Sequence, residues 1–444
     1  MPKIQKYDFC CIFAISISIL FWDTKDYFSN LRFLIITIPF IYFCFKKDLL
    51  CELKENWKTI FLPILLILGH YFFSILYTNF PINYSSILKL LVLSLILISV
   101  FLSFKSFKQN FSFFINFSVV ILFIFLIFDI LLNLLNNNFQ DALSINRFQN
   151  CYHGYFTQMS SIFREESHFA MNISPLLLTS IFLYLEGKYK YNFVFIISLL
   201  IIFFSSFFSL SITFIISMFL FLTLSIFLAK KRKTRITFFF LIILLPLTFI
   251  FYPKCADKLI NISSGVFKNL GITLADRVIV KVQNRNQERM TNNPQAIEKV
   301  DSIQTGLSGG VYINSIKIAI NSVLHYPLGV GFNNYSFSFN SFVEKTSKET
   351  VNVEEIIKDL RILNHNDGSN NFAKFSVEFG ILSIFFYIIL VRFFFNKQIE
   401  PSMKIFIIST LITQIFIRGA GYFNGGFLIL YFFAFYFQKS NEKK

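Results

Sequence analysis

The sequence predicts an all-α polytopic membrane protein of about twelve transmembrane helices with one large extracytoplasmic loop at about 253–371. Three observations predict it. Of 444 residues, 55% are hydrophobic and 15% are charged, whereas a soluble chain carries about a quarter charged residues. Sixty-four phenylalanines exceed what soluble cores of ordinary domain size hide. Twelve spans of roughly 20 residues need about 240 apolar positions, and 55% of 444 is about 244.

The elements follow in chain order from apolar runs bounded by Lys, Arg, Asn and Asp. Runs at 9–22, 31–45, 59–78, 86–104 and 111–135 predict five spans, all within 1–135. A polar stretch at 136–168 is the first extracytoplasmic loop, and 169–252 holds the next four spans. The first of these is 169–185. The 39 residues at 191–229 carry no charge and are too long for one span. They are expected to fold back near 205–211, where serines can satisfy a tight turn. A run at 236–252 follows, then the large polar segment 253–371. The last part, 372–444, opens with a span at 372–395. A run at 403–437 is broken by Arg418-Gly419-Ala420-Gly421 and Gly425-Gly426 into two short spans, ahead of a basic tail.

The formal charge of +16 sorts by side. With both termini cytoplasmic, 21 of the 41 Lys and Arg residues fall on the cytoplasmic side, as orientation demands. The short outer loops hold Lys25, Arg32, Lys89, Arg147, Arg164 and Arg418. The long segment 253–370 carries 13 basic against 11 acidic residues. The charge therefore reads as topology rather than as a nucleic-acid footprint. A basic start without a small-residue cleavage site makes the first span a signal anchor. Cys151 and Cys255 fall in the two outer loops, where an oxidising compartment would allow a pair; two free thiols is the default expectation. No His/Cys cluster has metal spacing, and no GxxxxGK or GxGxxG occurs. No metal, cofactor or nucleotide is implied.

Many-span proteins are commonly transporters, which keep loops short and place polar groups at the midplane. Here Asp129 and His70 are the main ionisable residues deep in spans, and the spans carry no evident paired polar residues. Polar content gathers instead in the two outer segments, which points to chemistry at the outer membrane–water interface. At the end of the first, Phe163-Arg164-Glu165-Glu166-Ser167-His168-Phe169-Ala170 abuts a span. Interfacial helix capping accounts for acidic residues there; a carboxylate and imidazole poised as general base is the functional alternative. Arg277, Lys281, Arg285 and Arg289 repeat every four residues, so they share one face on either a helix or a strand. That face is either simply solvated or an anion site, for which the Arg fork suits phosphate. An amphipathic stretch at 311–324 leads to Tyr326-Pro327-Leu328-Gly329-Val330-Gly331-Phe332-Asn333-Asn334-Tyr335. Before the next span, His365 opens the polar run Asn366-Asp367-Gly368-Ser369-Asn370-Asn371 and the stretch to Gly380.

These patches resemble the O-antigen polymerase and O-antigen ligase superfamily of bacterial envelope proteins. Residues 163–170 look like its F-x-E-P-S-[HY]-x-A element, matched at Glu165, Ser167, His168 and Ala170, with Glu166 in place of proline. Residues 311–335 look like its amphipathic helix followed by P-L-x-G-x-G-x-N, matched at Pro327, Leu328, Gly329, Gly331 and Asn334. The family often carries an Arg before that helix, where this chain has Gly310; Arg277 or Arg289 would take its place. Residues 365–380 look like its H-N…E-x-G-I element at longer spacing, so that Asn370 competes with His365 for the alignment.

The resemblance implies a C-type glycosyltransferase-like fold in the bacterial inner membrane, with the active site facing the periplasm. It implies inverting, metal-independent transfer of glycans carried on undecaprenyl diphosphate, without a cofactor. Glu165, His168 or His365 would serve as catalytic base. Arg164, Arg277, Lys281, Arg285 and Arg289 would bind the diphosphate and stabilise the charge that develops on it. Implied partners are the lipid-linked glycans, the bilayer, a chain-length regulator and a flippase, with no nucleic acid. Polymerase is the first expectation; the alternatives are a ligase passing glycan to lipid A–core and a lipid-linked sugar flippase.

Overall fold

A computed structural model describes residues 5–20, 37–44, 48–78, 84–135, 166–188, 192–208, 212–250, 307–350, 354–419, 421–423 and 426–442. Most of these residues are helical, and no strand occurs among them. The N-terminal part holds α1 (Lys6–Leu20), α2 (Ile38–Cys44), α3 (Asp48–Thr78), α4 (Tyr84–Gln109) and α5 (Phe111–Leu135). The middle part holds α6 (Glu166–Leu185), α7 (Asn192–Phe208), α8 (Ile212–Leu228) and α9 (Arg232–Ile250). Within the charge-free run at 191–229, Ser205 and Ser206 are helical as part of α7, and the rest of the expected turn, 209–211, lies outside the described residues. Three extra helices follow: α10 (Leu307–His325), α11 (Tyr335–Thr350) and α12 (Glu354–Leu360). The chain closes with α13 (Asn371–Phe379), a tight 3-10 turn at Gly380–Ser383, α14 (Ile384–Phe395), α15 (Pro401–Ile412) widening into a π-turn at Thr413–Ile417, and α16 (Phe427–Glu442). The described end of the segment 253–371 thus carries three helices, with turns after α10 and α12.

Three stretches are long and apolar enough to cross a membrane by length and composition: Asn56–Thr78, Tyr84–Gln109 and Asn371–Phe395. Shorter apolar helices lie at Phe111–Ile124, Ile173–Leu185, Phe193–Ile202, Ile216–Leu228, Pro401–Ile417 and Phe427–Gln438. Their packing suits lipid. Large apolar side chains point outward, with Leu66 64% and Leu76 78% exposed on α3. Serines meet inside instead: Ser16 with Ser118 at 2.9 Å, and Ser174 with Ser217 at 2.9 Å. Small hydroxyl residues at helix contacts are what association in a bilayer favours, because the hydrophobic effect does not hold helices together there.

Described basic residues assigned to the cytoplasm, Lys108, Lys188 and Lys231 among them, lie at one end of this bundle. There Tyr7 donates to the Leu102 carbonyl at 2.8 Å, and Lys188 pairs with Glu400. The Lys231 amide donates to Glu186, and Lys108 lies over the Phe437 ring. At the other end, α3, α4 and α13 converge on the turn that links α10 to α11. That turn positions the candidate site.

Candidate functional site

The site begins with a helix that stops early. Asn370 caps α13 by accepting the Ala373 amide at 2.8 Å, and Gly380, at φ +55°, ends it. Gly380 is only the tenth residue of the 25-residue apolar stretch Asn371–Phe395. In a continuous helix the Ile381 amide would reach the Val377 carbonyl. It donates instead to Pro327 at 2.8 Å, while the Val377 and Glu378 carbonyls accept from the Val330 and Gly331 amides at 3.0 and 2.9 Å. The 327–334 turn thus replaces the hydrogen bonds the helix gives up. Broken backbone in an apolar span persists only where the protein satisfies it in this way. Gly329, at φ +85°, lets the turn approach; a Cβ there would collide with the Glu378 carbonyl.

The break brings charge inside. Lys374 is 1% and Glu378 0% exposed, one helical turn apart. The Lys374 ammonium donates to Asp367 at 2.6 Å and to the Asn366 carbonyl at 3.0 Å, and lies 3.6 Å from Glu378. It also sits 5.0 Å over the Tyr422 ring. Glu378 accepts from the Asn333 amide and the Tyr422 hydroxyl, both at 2.8 Å. Extra hydrogen bonds help a buried ion pair persist; here both go to Glu378 Oε2, while Oε1 faces the Lys374 ammonium with no hydrogen bond of its own. Asn333, at φ 61°, then reaches α4: its Oδ1 accepts from Lys89 at 2.8 Å and its Nδ2 donates to Ser86 at 3.2 Å. From α3, His70 meets the Leu328 carbonyl at 2.8 Å, which makes Nε2 the protonated nitrogen. Tyr335 is wholly buried against Gly368. Burial, then the negative charge of Asp367 and Glu378, pushes its hydroxyl pKa upward, so it stays protonated.

Of the sequence-predicted site residues, His365 lies in the turn after α12, partly exposed and edge-on to Phe339 at 5.5 Å. It stands two residues from Asp367, the partner of Lys374. His168 is on the first turn of α6, with its side chain outside the described residues. Arg164, Glu165, Arg277, Lys281, Arg285 and Arg289 lie outside them entirely, as do Cys151 and Cys255. The side chain of Asp129 is likewise outside them.

Two of the three sequence patches, 311–335 and 365–380, are one structural unit, joined by the backbone bonds at Pro327, Val330 and Gly331. The expectation of no paired polar residues in the spans is corrected by Lys374 and Glu378. The pair is hidden in sequence because a helix break, not a polar run, creates room for it. One signal was present. Once the basic residues of the cytoplasmic side, short outer loops and long segment are set aside, Lys374 alone remains, inside an apolar run. Chemically, the arrangement fixes two loops against three apolar helices and leaves His365 and Lys89 at its margins. No protein-family model, curated protein or solved structure matches the chain.

Proposed function

We propose that the protein is a polytopic inner-membrane glycosyltransferase of about twelve spans that polymerises undecaprenyl-diphosphate-linked repeat units at the periplasmic face. The observation that carries the reading is the union of the 327–334 turn with the Lys374–Glu378 helix at the end of the bundle opposite the basic residues. Positive-inside orientation puts that end outside, where lipid-linked donor and acceptor would meet. Both substrates being anchored in one leaflet supplies proximity.

In this reading Glu165, His168 or His365 takes the proton of the acceptor hydroxyl as the new glycosidic bond forms. The lipid diphosphate leaves, and Arg164, Arg277, Lys281, Arg285 and Arg289 stabilise the charge it gains. The donor ester is already activated, so no nucleotide enters. The test is gel analysis of surface polysaccharide in a deletion strain complemented with variants. Polymerase predicts a single repeat on core after deletion, with no rescue by Arg289→Ala or Glu165→Gln. Bare core with accumulated lipid-linked polymer would assign the ligase activity instead. Cytoplasmic accumulation of single repeat units would assign a flippase.

A further inference from the structure

Among the described residues, Lys89 touches the buried network without forming an ion pair in it. It is the sixth residue of α4, one of the stretches apolar enough to cross a membrane. On that helix Tyr84, Leu88 and Leu91 form an outward stripe, 84%, 62% and 60% exposed, while Ser86, Leu90 and Leu93 face the protein. At 3.6 residues per turn, Lys89 falls on the boundary between the two faces. An ammonium has three donors. Among the described residues Lys89 uses one, on the neutral Asn333 amide oxygen, and forms no ion pair.

The two carboxylates within electrostatic reach, Asp367 and Glu378, are ion-paired with Lys374, and Glu378 Oε2 also accepts from Tyr422 and the Asn333 amide. The group that orients Lys89 is itself fixed. Asn333 is held in a left-handed conformation, with its backbone tied to Glu378 and its Nδ2 to Ser86. A lysine near a helix end ordinarily snorkels into water on a free stem. This one is held at the seam between the lipid-facing stripe of α4 and the 327–334 turn, with two donors to spare.

We propose that Lys89 is the cationic contact of a binding site for the phosphate of a membrane lipid. A phosphate oxygen at headgroup level accepts both remaining N–H groups, in surroundings where water competes weakly and charge-assisted bonds are strong. Two sources share this chemistry: the diphosphate of a polyprenyl carrier and the phosphate of a bilayer phospholipid. The site rests on the proposed function only for the first source, and binding is measured without any glycosyl transfer, so failure of either idea is visible alone.

The test uses the purified full-length chain in detergent micelles and native mass spectrometry with undecaprenyl diphosphate, dioleoylphosphatidylglycerol and the uncharged alcohol undecaprenol. The wild type should prefer the phosphate-bearing lipids to undecaprenol. Lys89→Met should weaken phosphate-lipid binding roughly tenfold, the loss expected for a charged hydrogen bond, with undecaprenol binding unchanged; Lys89→Arg should retain it. Preference for undecaprenyl diphosphate over the phospholipid assigns a carrier site, and equal binding assigns a headgroup site. A wild type without preference for phosphate, or a Lys89→Met protein with unaltered affinity, overturns the proposal. Loss of undecaprenol along with the phosphate lipids in Lys89→Met also overturns it, because Lys89 would then support the fold rather than the ligand.

Discussion

Replacing Lys374 by Met should be among the most damaging single changes in the described part of the protein. The side chain volume is nearly conserved, so no large cavity forms, and the effect isolates charge. Glu378, 0% exposed, would lose its cation while keeping two donors, the Asn333 amide and Tyr422 hydroxyl. Breaking a buried pair from one side costs about 3–5 kcal/mol, because the other charge is left uncompensated. Asp367 contributes less, since its side chain is 44% exposed and water can replace the lost partner. The double change Lys374→Met with Glu378→Gln removes both buried charges. The amide oxygen introduced by Glu378→Gln can still accept from Asn333 and Tyr422, so the double variant should recover at least half of the loss. The assay is thermal unfolding in detergent followed with a thiol-reactive dye, because Cys11 is 0% exposed and reacts when the bundle opens. Additive single effects, agreeing within about 0.5 kcal/mol, would refute the pairing. So would a single Lys374→Met variant as stable as wild type.

Other expectations follow from the same geometry. Gly380→Ala would drive a Cβ into the Pro327 carbonyl at φ +55°, so it should abolish monodisperse protein in fluorescence-detected size exclusion. Asn333→Gly keeps the left-handed backbone but loses the bonds to Lys89 and Ser86. It should cost about 1–2 kcal/mol, whereas Asn333→Val should cost more because a β-branched residue is strained at φ 61°; the same thermal assay ranks them. His70→Phe preserves the ring contact with Phe379 but leaves the Leu328 carbonyl without its donor. Faster hydrogen exchange at the Val330 and Gly331 amides, read by mass spectrometry, is the expected result.

The helices themselves were legible from the sequence, for reasons visible in particular residues. A break in 191–229 is expected because 39 charge-free residues exceed one bilayer crossing; the described residues on either side, in α7 and α8, are helical. The amphipathic pattern at 311–324 became the middle of α10. The helices α11 and α12 were not legible: Ser, Thr, Lys and Glu in 335–360 carry little apolar signal, and α11 is helical because Phe339 and Val343 pack on Ile318, Ala319 and Val377. His365 was singled out for standing in a polar run. Lys374 was passed over because it stands at an unmatched position of the 365–380 patch, and Tyr422 because it belongs to no motif; they are 48 residues apart in sequence, yet the Lys374 ammonium rests on the Tyr422 ring.

The sequence by itself determined that this is an apolar, largely helical chain, because hydropathy acts locally and survives any arrangement of the helices. Only the tertiary structure decided that Gly380 interrupts an apolar helix, that the 327–334 turn completes its hydrogen bonds, and that a lysine and a glutamate are thereby buried together. Those outcomes depend on which backbone groups meet across a large separation along the chain. A buried charge is tolerable only where such a meeting supplies its partners.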